Sequence, residues 1–255
     1  MIIPFLTQRN RLLITLTISA QRPMNLGIVA YDPENPNTHY LRRKAPVDNF
    51  REIRLQLPLT PNKLLLELYN KETGTDRDFS LEDMTIEPMK EADVWAAPER
   101  HRFMDFAMRF AQRAGYVGPG FFHSPEYEFL IHYLPTITDE RGKELITPAR
   151  IHRHMPRVQL SQRLFRQFSI PVRVAILAHE GCHYFNNTRS EREADLCGIR
   201  YYLEYGFPSI EGIYAATKVF LKHPETVSDV HIERAKDIEQ FIRQYKQNQW
   251  TNESR

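Results

Sequence analysis

The chain has 255 residues, 34 Lys and Arg against 32 Asp and Glu for a formal net charge of +2, two cysteines and ten glycines. A hydrophobic share of 42% with 26% charged residues excludes a fibrous or wholly disordered protein, and the length gives one large domain or two small ones, each with its own core. The near-neutral balance sets up no basic field for nucleic acid, two cysteines cannot build a disulfide framework or a four-cysteine zinc site, and no glycine falls in a GxxxxGK or GxGxxG phosphate loop.

The first ninety or so residues read as strands. LLITLTIS (12–19), LGIVAY (26–31), FREIRLQLPL (50–59) and KLLLELYN (63–70) alternate apolar and polar residues or form short apolar runs. The turn clusters DPENPN (32–37), TPN (60–62) and KETGTD (71–76) punctuate them. Strands at this spacing without an intervening helix predict an antiparallel β-sandwich over 1–92, a docking or structural module without a catalytic constellation of its own. The segment Arg9 to Ala20 imitates a signal peptide, but Thr15, Thr17 and Ser19 break its apolar run at every second position, a strand period. No stretch reaches the ~18–20 apolar residues of a spanning helix. The expectation is an intracellular protein, in a cell or a virion, with no membrane segment.

Composition changes near 92–97. Phe103, Phe106, Ala107, Phe110 and Ala111 recur at helical steps between Pro98 and Gly115. From 126 to about 168 strands return, with YEFLIHYLPTI, a turn at DERGKE and RVQLS (157–161); beyond them the chain reads as helical. Between 150 and 173 stand Arg150, Arg153, Arg157, Arg163, Arg166 and Arg173, without the interleaved aromatics of a single-strand binder, so they read as a solvated strand face or an interface to an acidic partner. Ile232, Ala235, Ile238, Phe241, Ile242 and Tyr245 form one helix stripe, read as core, and the polar end, 248–255, reads as a mobile tail.

Chemistry concentrates in residues 171–206. His179-Glu180-Gly181-Cys182-His183 is an HExxH. On a helix, residues i and i+4 lie one turn apart on the same face, so His179 and His183 can bind one metal ion. Glu180 is turned by about 100° from His179 and can reach a water at that ion without being a ligand. Zinc suits the donors and leaves a position for water. Pro171 marks the helix start and Asn186-Asn187 its stop.

A third ligand is still needed. Ser190 and Glu193 form a capping box, which starts a second helix and gives Glu193 a structural role. Glu191 is left in the first turn with its side chain available, and Asp195 follows at i+4. A five-residue loop makes the two helices antiparallel neighbours, so Glu191 comes beside His183. Asp195 then takes the outer N–H of a ligating histidine. The two cysteines, Cys182 and Cys197, read as thiols packing this helix pair in a reducing compartment.

At these residues the chain resembles the gluzincin metallopeptidases, zinc enzymes that pair HExxH with ExxxD on a second helix; HEGCH and Glu191-Arg-Glu-Ala-Asp195 match the two motifs. The likeness extends more weakly over 97–247, and seven residues between His183 and Glu191 is a shorter spacer than most of that clan has. It implies a small zincin-like domain (backing helix, small sheet with RVQLS as its substrate-binding edge, HExxH helix, glutamate helix, C-terminal helices) and hence an α+β chain. It also implies hydrolysis of a peptide or protein substrate, with zinc on His179, His183 and Glu191 and Glu180 as general base. Many members carry a late His-Pro before an Arg; His223-Pro224 and His231-Ile-Glu-Arg234 each match part of it. His231 is thus the foremost candidate to stabilise the oxyanion, with Arg234, Tyr201 and Tyr202 also open. The other functional class is a structural subunit of a large assembly, such as a phage neck or tail ring, that keeps this fold and binds protein partners or further copies of itself through the β module.

Overall fold

A computed structural model describes residues 1–90, 94, 96–152, 154–209, 212–213 and 229–253, with side chains through 247. The chain is α+β and divides into two compact units: 1–93 with 169–171 and 205–208, and 94–168 with 172–204 and 209–255. The expected boundary at 92–97 falls partly outside the described residues, as do Arg153 and His223-Pro224.

The first unit holds seven strands in two antiparallel, sandwich-like sheets. They are β1 (Ile2–Leu6), β2 (Leu12–Ala20), β3 (Met24–Asp32), β4 (Asn35–Val47), β5 (Phe50–Leu57), β6 (Lys63–Asn70) and β7 (Phe79–Pro88). One sheet runs β1-β6-β3-β4 and the other β5-β2-β7. Period-two alternation sends Ile14, Leu16 and Ile18 of β2, Ile53 and Leu55 of β5, and Leu64, Leu66 and Leu68 of β6 into the core, all at most 2% exposed. Strands β1, β4 and β7 were not legible. All three are sheet edges, as is β5, whose alternation was readable. Edges tolerate the prolines of β4 and the acids of β7.

The second unit is built on a four-stranded sheet of order β10-β11-β9-β8, comprising β8 (Gly120–His123), β9 (Leu130–Leu134), β10 (Ala149–His152) and β11 (Arg157–Ser161). Only β9 and β11 pair in parallel. RVQLS is β11, hydrogen-bonded on both sides, so it is not the edge strand that the resemblance implied. The edge is β10. Helix α1 (Pro98–Arg113) buries the expected stripe together with Met104. Phe110 meets Phe122 and Tyr133 edge-on at 5.1 and 5.3 Å, and Phe103 meets Phe129 at 5.2 Å. The Tyr133 hydroxyl donates to the Ala114 carbonyl, 2.8 Å away, and burial pushes its pKa up to about 12.

Four further helices follow among the described residues: α2 (Gln162–Phe165), α3 (Ile170–Phe185), α4 (Glu191–Glu204) and α5 (Asp229–Glu253). Helix α5 thus takes in most of the segment expected as a separate tail. Of the α5 stripe, Ile238 and Ile242 are buried, but Ile232 is 40% exposed. The arginines of 150–173 do not form one solvated face. Arg163 pairs with Glu144, Arg166 donates to the Gly115 carbonyl, and Arg157 meets the His132 ring. Arg173 is wholly buried, donating to the carbonyls of Ala111, Phe165 and Arg166 at 2.9–3.2 Å.

Candidate metal centre

Helix α3 begins with Pro171 in its first turn and stops where Asn187 turns left-handed at φ 46°, a conformation asparagine tolerates. Its last two turns carry His179, Glu180 and His183. The loop 186–190 then leads into α4, where the Glu193 N–H donates to Ser190 Oγ at 3.2 Å. The reciprocal half of the capping box is replaced: the Thr188 hydroxyl donates to the Glu193 carboxylate and accepts from the Ser190 N–H.

The two helices run antiparallel and very close. Glu191 lies beside His183, Asp195 beside His179, and a Cβ on Gly198 would stand 2.8 Å from the His179 nitrogen. On the other flank of α3, a Cβ on Gly181 would stand 2.4 Å from the Phe103 ring. Glycine is required at both positions by approach rather than by φ. Cys182 and Cys197 are joined as a disulfide with Cα atoms 6.0 Å apart. The expectation of two free thiols is therefore wrong. Such bonds persist where reductants are scarce, so a reducing compartment no longer follows from the cysteines.

His179, His183 and Glu191 each offer one ligand atom, and these atoms lie within 4.8 Å of one another. The ring orientations are set from outside. His179 Nδ1 is 2.9 Å from Asp195 Oδ1, and His183 Nδ1 is 2.9 Å from the Thr188 carbonyl. Both outer partners only accept, so each Nδ1 carries a proton, and in the neutral rings both Nε2 atoms are bare acceptors. Yet those two Nε2 atoms stand 3.1 Å apart, with Glu191 oxygens at 3.4 Å from His183 and 3.6 Å from His179. Two facing lone pairs and a carboxylate repel unless a cation lies among them. A proton on one ring meets that need partly; a metal ion meets it fully. The donor set therefore fits a metal.

Charges respond accordingly. Burial works to lower the His183 pKa, but the Glu191 hydrogen bond and the Thr188 carbonyl outweigh it, and the net shift is upward. The His183 hydrogen bond, with His179 and Arg234 nearby, draws Glu191 down to about 2. Glu180 is 8% exposed, and burial raises its pKa against the pull of both histidines and the Ile151 N–H.

The cluster opens on a cavity of about 570 Å³. Segment 146–151, which runs into the edge strand β10, supplies one wall; Ile176, Ile199 and Ile238 supply apolar surface from α3, α4 and α5. Of the candidates for a further catalytic role, Arg234 lines this cavity but is engaged by acids: Nε is 2.7 Å from Asp195 Oδ2, and Nη2 is 3.0 Å from Asp195 Oδ1 and 2.9 Å from Glu191 Oε2. His231 lies one turn earlier on α5, half-buried and outside the cavity lining. Tyr201 accepts from Arg100 at 2.6 Å, and Tyr202 is fully buried; neither lines the cavity.

Sequence reading missed the disulfide, the two helix-contact glycines, the edge position of β10 and the grip of Arg234 on both acids. Local spacing held no signal for the disulfide: Cys182 and Cys197 do not follow the register that pairs 183 with 191 and 179 with 195. No helix among the described residues is long and apolar enough to cross a membrane. No protein-family model, no curated protein and no solved structure matches the chain.

Proposed function

We propose that this chain is a zinc-dependent peptidase of the gluzincin type, hydrolysing peptide bonds at the His179–His183–Glu191 centre. The observation that carries the reading is the pair of Nε2 atoms 3.1 Å apart and facing Glu191, each ring fixed through its outer nitrogen, with the buried Glu180 carboxyl on the adjoining face of the same helix. Two imidazoles and a carboxylate are a donor set that zinc accepts with one position left over. Bound there, zinc supplies Lewis acidity, which polarises the scissile carbonyl and makes a water acidic enough to attack near neutral pH.

The protein's own part is proton transfer and alignment. Glu180 removes a proton from the attacking water and returns it to the amine nitrogen as the carbon–nitrogen bond breaks. Its burial in an apolar cavity and its raised pKa suit a group that must hold that proton between the two steps. Edge strand β10 has one side free of strand partners among the described residues, so an extended peptide can align along it by strand addition. Ile176, Ile199 and Ile238 favour an apolar side chain next to the scissile bond.

The test is metal analysis of the purified protein together with cleavage of an unfolded-protein or peptide mixture by wild type and Glu180→Gln. One zinc per chain in both, with kcat reduced about 10²–10⁴-fold in the variant, is the expected result. Absence of bound metal from wild type overturns the proposal. Zinc without hydrolysis of any peptide turns the reading to a structural assembly subunit that retains the fold.

A further inference from the structure

We propose that Arg234 is the positioning residue of the metal centre, acting through Glu191; this rests on the metal reading above. Glu191 is the weak point of the ligand set. It sits in the first turn of α4 with its side chain 52% exposed, whereas the histidines are each held by a second hydrogen bond. An exposed glutamate has several rotamers open to it, and only a few bring an oxygen to the histidine pair.

Arg234 removes that freedom. Its side chain is 11% exposed, inserted from α5, and its planar fork meets Asp195 with two nitrogens while Nη2 also takes Glu191 Oε2. Glu191 and Asp195 lie at i and i+4 of α4, so one guanidinium clamps both acids of that helix face. With Oε2 taken, Glu191 Oε1 is the oxygen nearest His183, at 3.4 Å. The same group braces the other ligand: Arg234 holds Asp195, and Asp195 holds His179 Nδ1.

A cation beside a cation site also repels the metal, which opposes this gain. Asp195 settles the balance. Its carboxylate accepts from two of the three guanidinium nitrogens and offsets the charge in place, so the ordering of Glu191 dominates. Arg192 of α4 further ties the same helices by its contact to Asp237, at 2.6 Å. Docking of α5 is thereby linked to the affinity of a site whose ligands all lie on α3 and α4.

The experiment measures zinc affinity by chelator competition on the full chain, for wild type, Arg234→Met, Arg234→Lys, Glu191→Gln and the double variant Arg234→Met/Glu191→Gln. Arg234→Met is expected to weaken zinc 10–100-fold. Lys, a point charge without the fork, recovers only part of this. Because Arg234 acts mainly through Glu191, the double variant should bind within about threefold of Glu191→Gln alone. The cobalt-substituted Arg234→Met protein should show the absorption shift of Glu191→Gln, a change that loss of helix packing elsewhere does not produce. Arg234→Met within twofold of wild type, or fully additive losses in the double variant, overturns the assignment while leaving the metal reading intact. Wild type that takes up neither zinc nor cobalt overturns both. Circular dichroism verifies folding, and if Arg234→Met does not fold, Arg234→Lys carries the test: affinity and cobalt spectrum equal to wild type overturn the assignment.

Discussion

In the β unit the buried polar residues are neutral (Thr7, Thr38, Thr60, Asn70), whereas the second unit buries Arg173, Glu180, His183 and Asp195 as well. The first is a stability design: alternating Ile, Leu and Val fill two sheets, and among the described residues no Asp, Glu, His, Lys or Arg there is buried as a whole side chain. Burying an ionisable group is costly unless it is paired or hydrogen-bonded. The second unit accepts that cost four times, and three of the four residues surround one cavity. A fold concentrates such groups where chemistry needs shifted pKa values and fixed ring orientations. The difference supports, without reference to any motif, placing the proposed chemistry in the second unit.

Arg173 is the exception that tests this contrast, because it is buried for structure rather than chemistry. Replacing it with Met leaves the carbonyls of Ala111, Phe165 and Arg166 short of a donor and should cost about 3–5 kcal/mol, measured as a lower urea midpoint. A loss below about 1 kcal/mol would break the claim that this charge joins α1 to the start of α3. The disulfide comes next. Its loop spans 15 residues, which corresponds to about 3 kcal/mol in the chain-entropy account. The Cys182→Ser/Cys197→Ser protein should lose about that much stability, seen as a lower melting temperature, and hold zinc more weakly, since the bond joins the helices that carry the ligands. Equal melting and equal affinity would mean that Gly198 packing alone sets their spacing. The smallest effect belongs to the β unit's surface. Ile86 on edge strand β7 is 43% exposed, and Ile86→Thr should change stability by less than about 0.5 kcal/mol with no change in zinc content. A larger loss would show that this edge is covered.

Legibility followed sequence distance. The α1 stripe, the central strands and the HExxH helix each declare themselves within a window of a few residues, because a periodic burial pattern imprints a periodic sequence. Glu191 and Asp195 were also within reach, through the capping signal at Ser190 and the short loop before it. Strands β1, β4 and β7 left little trace. Edge position alone does not explain this, since β5 is also an edge and its alternation was readable, but the prolines of β4 and the acids of β7 break the apolar pattern. RVQLS misled for the opposite reason: an alternating strand looks the same at the centre of a sheet as at its rim.

The sequence by itself determined the α+β class, the residues His179, Glu180, His183, Glu191 and Asp195, and the pairing of the two helices that hold them, because i,i+4 spacing and capping are local geometry. Tertiary structure alone decided that Cys182 bonds Cys197, that β10 rather than β11 is the open edge, and that Arg234 returns from α5, 39 positions beyond Asp195, to grip both acids. Those contacts join residues too distant in sequence for any repeat to record them. They depend on how closely packed helices bring side chains together, and Gly198 against the His179 backbone fixes how closely α3 and α4 pack.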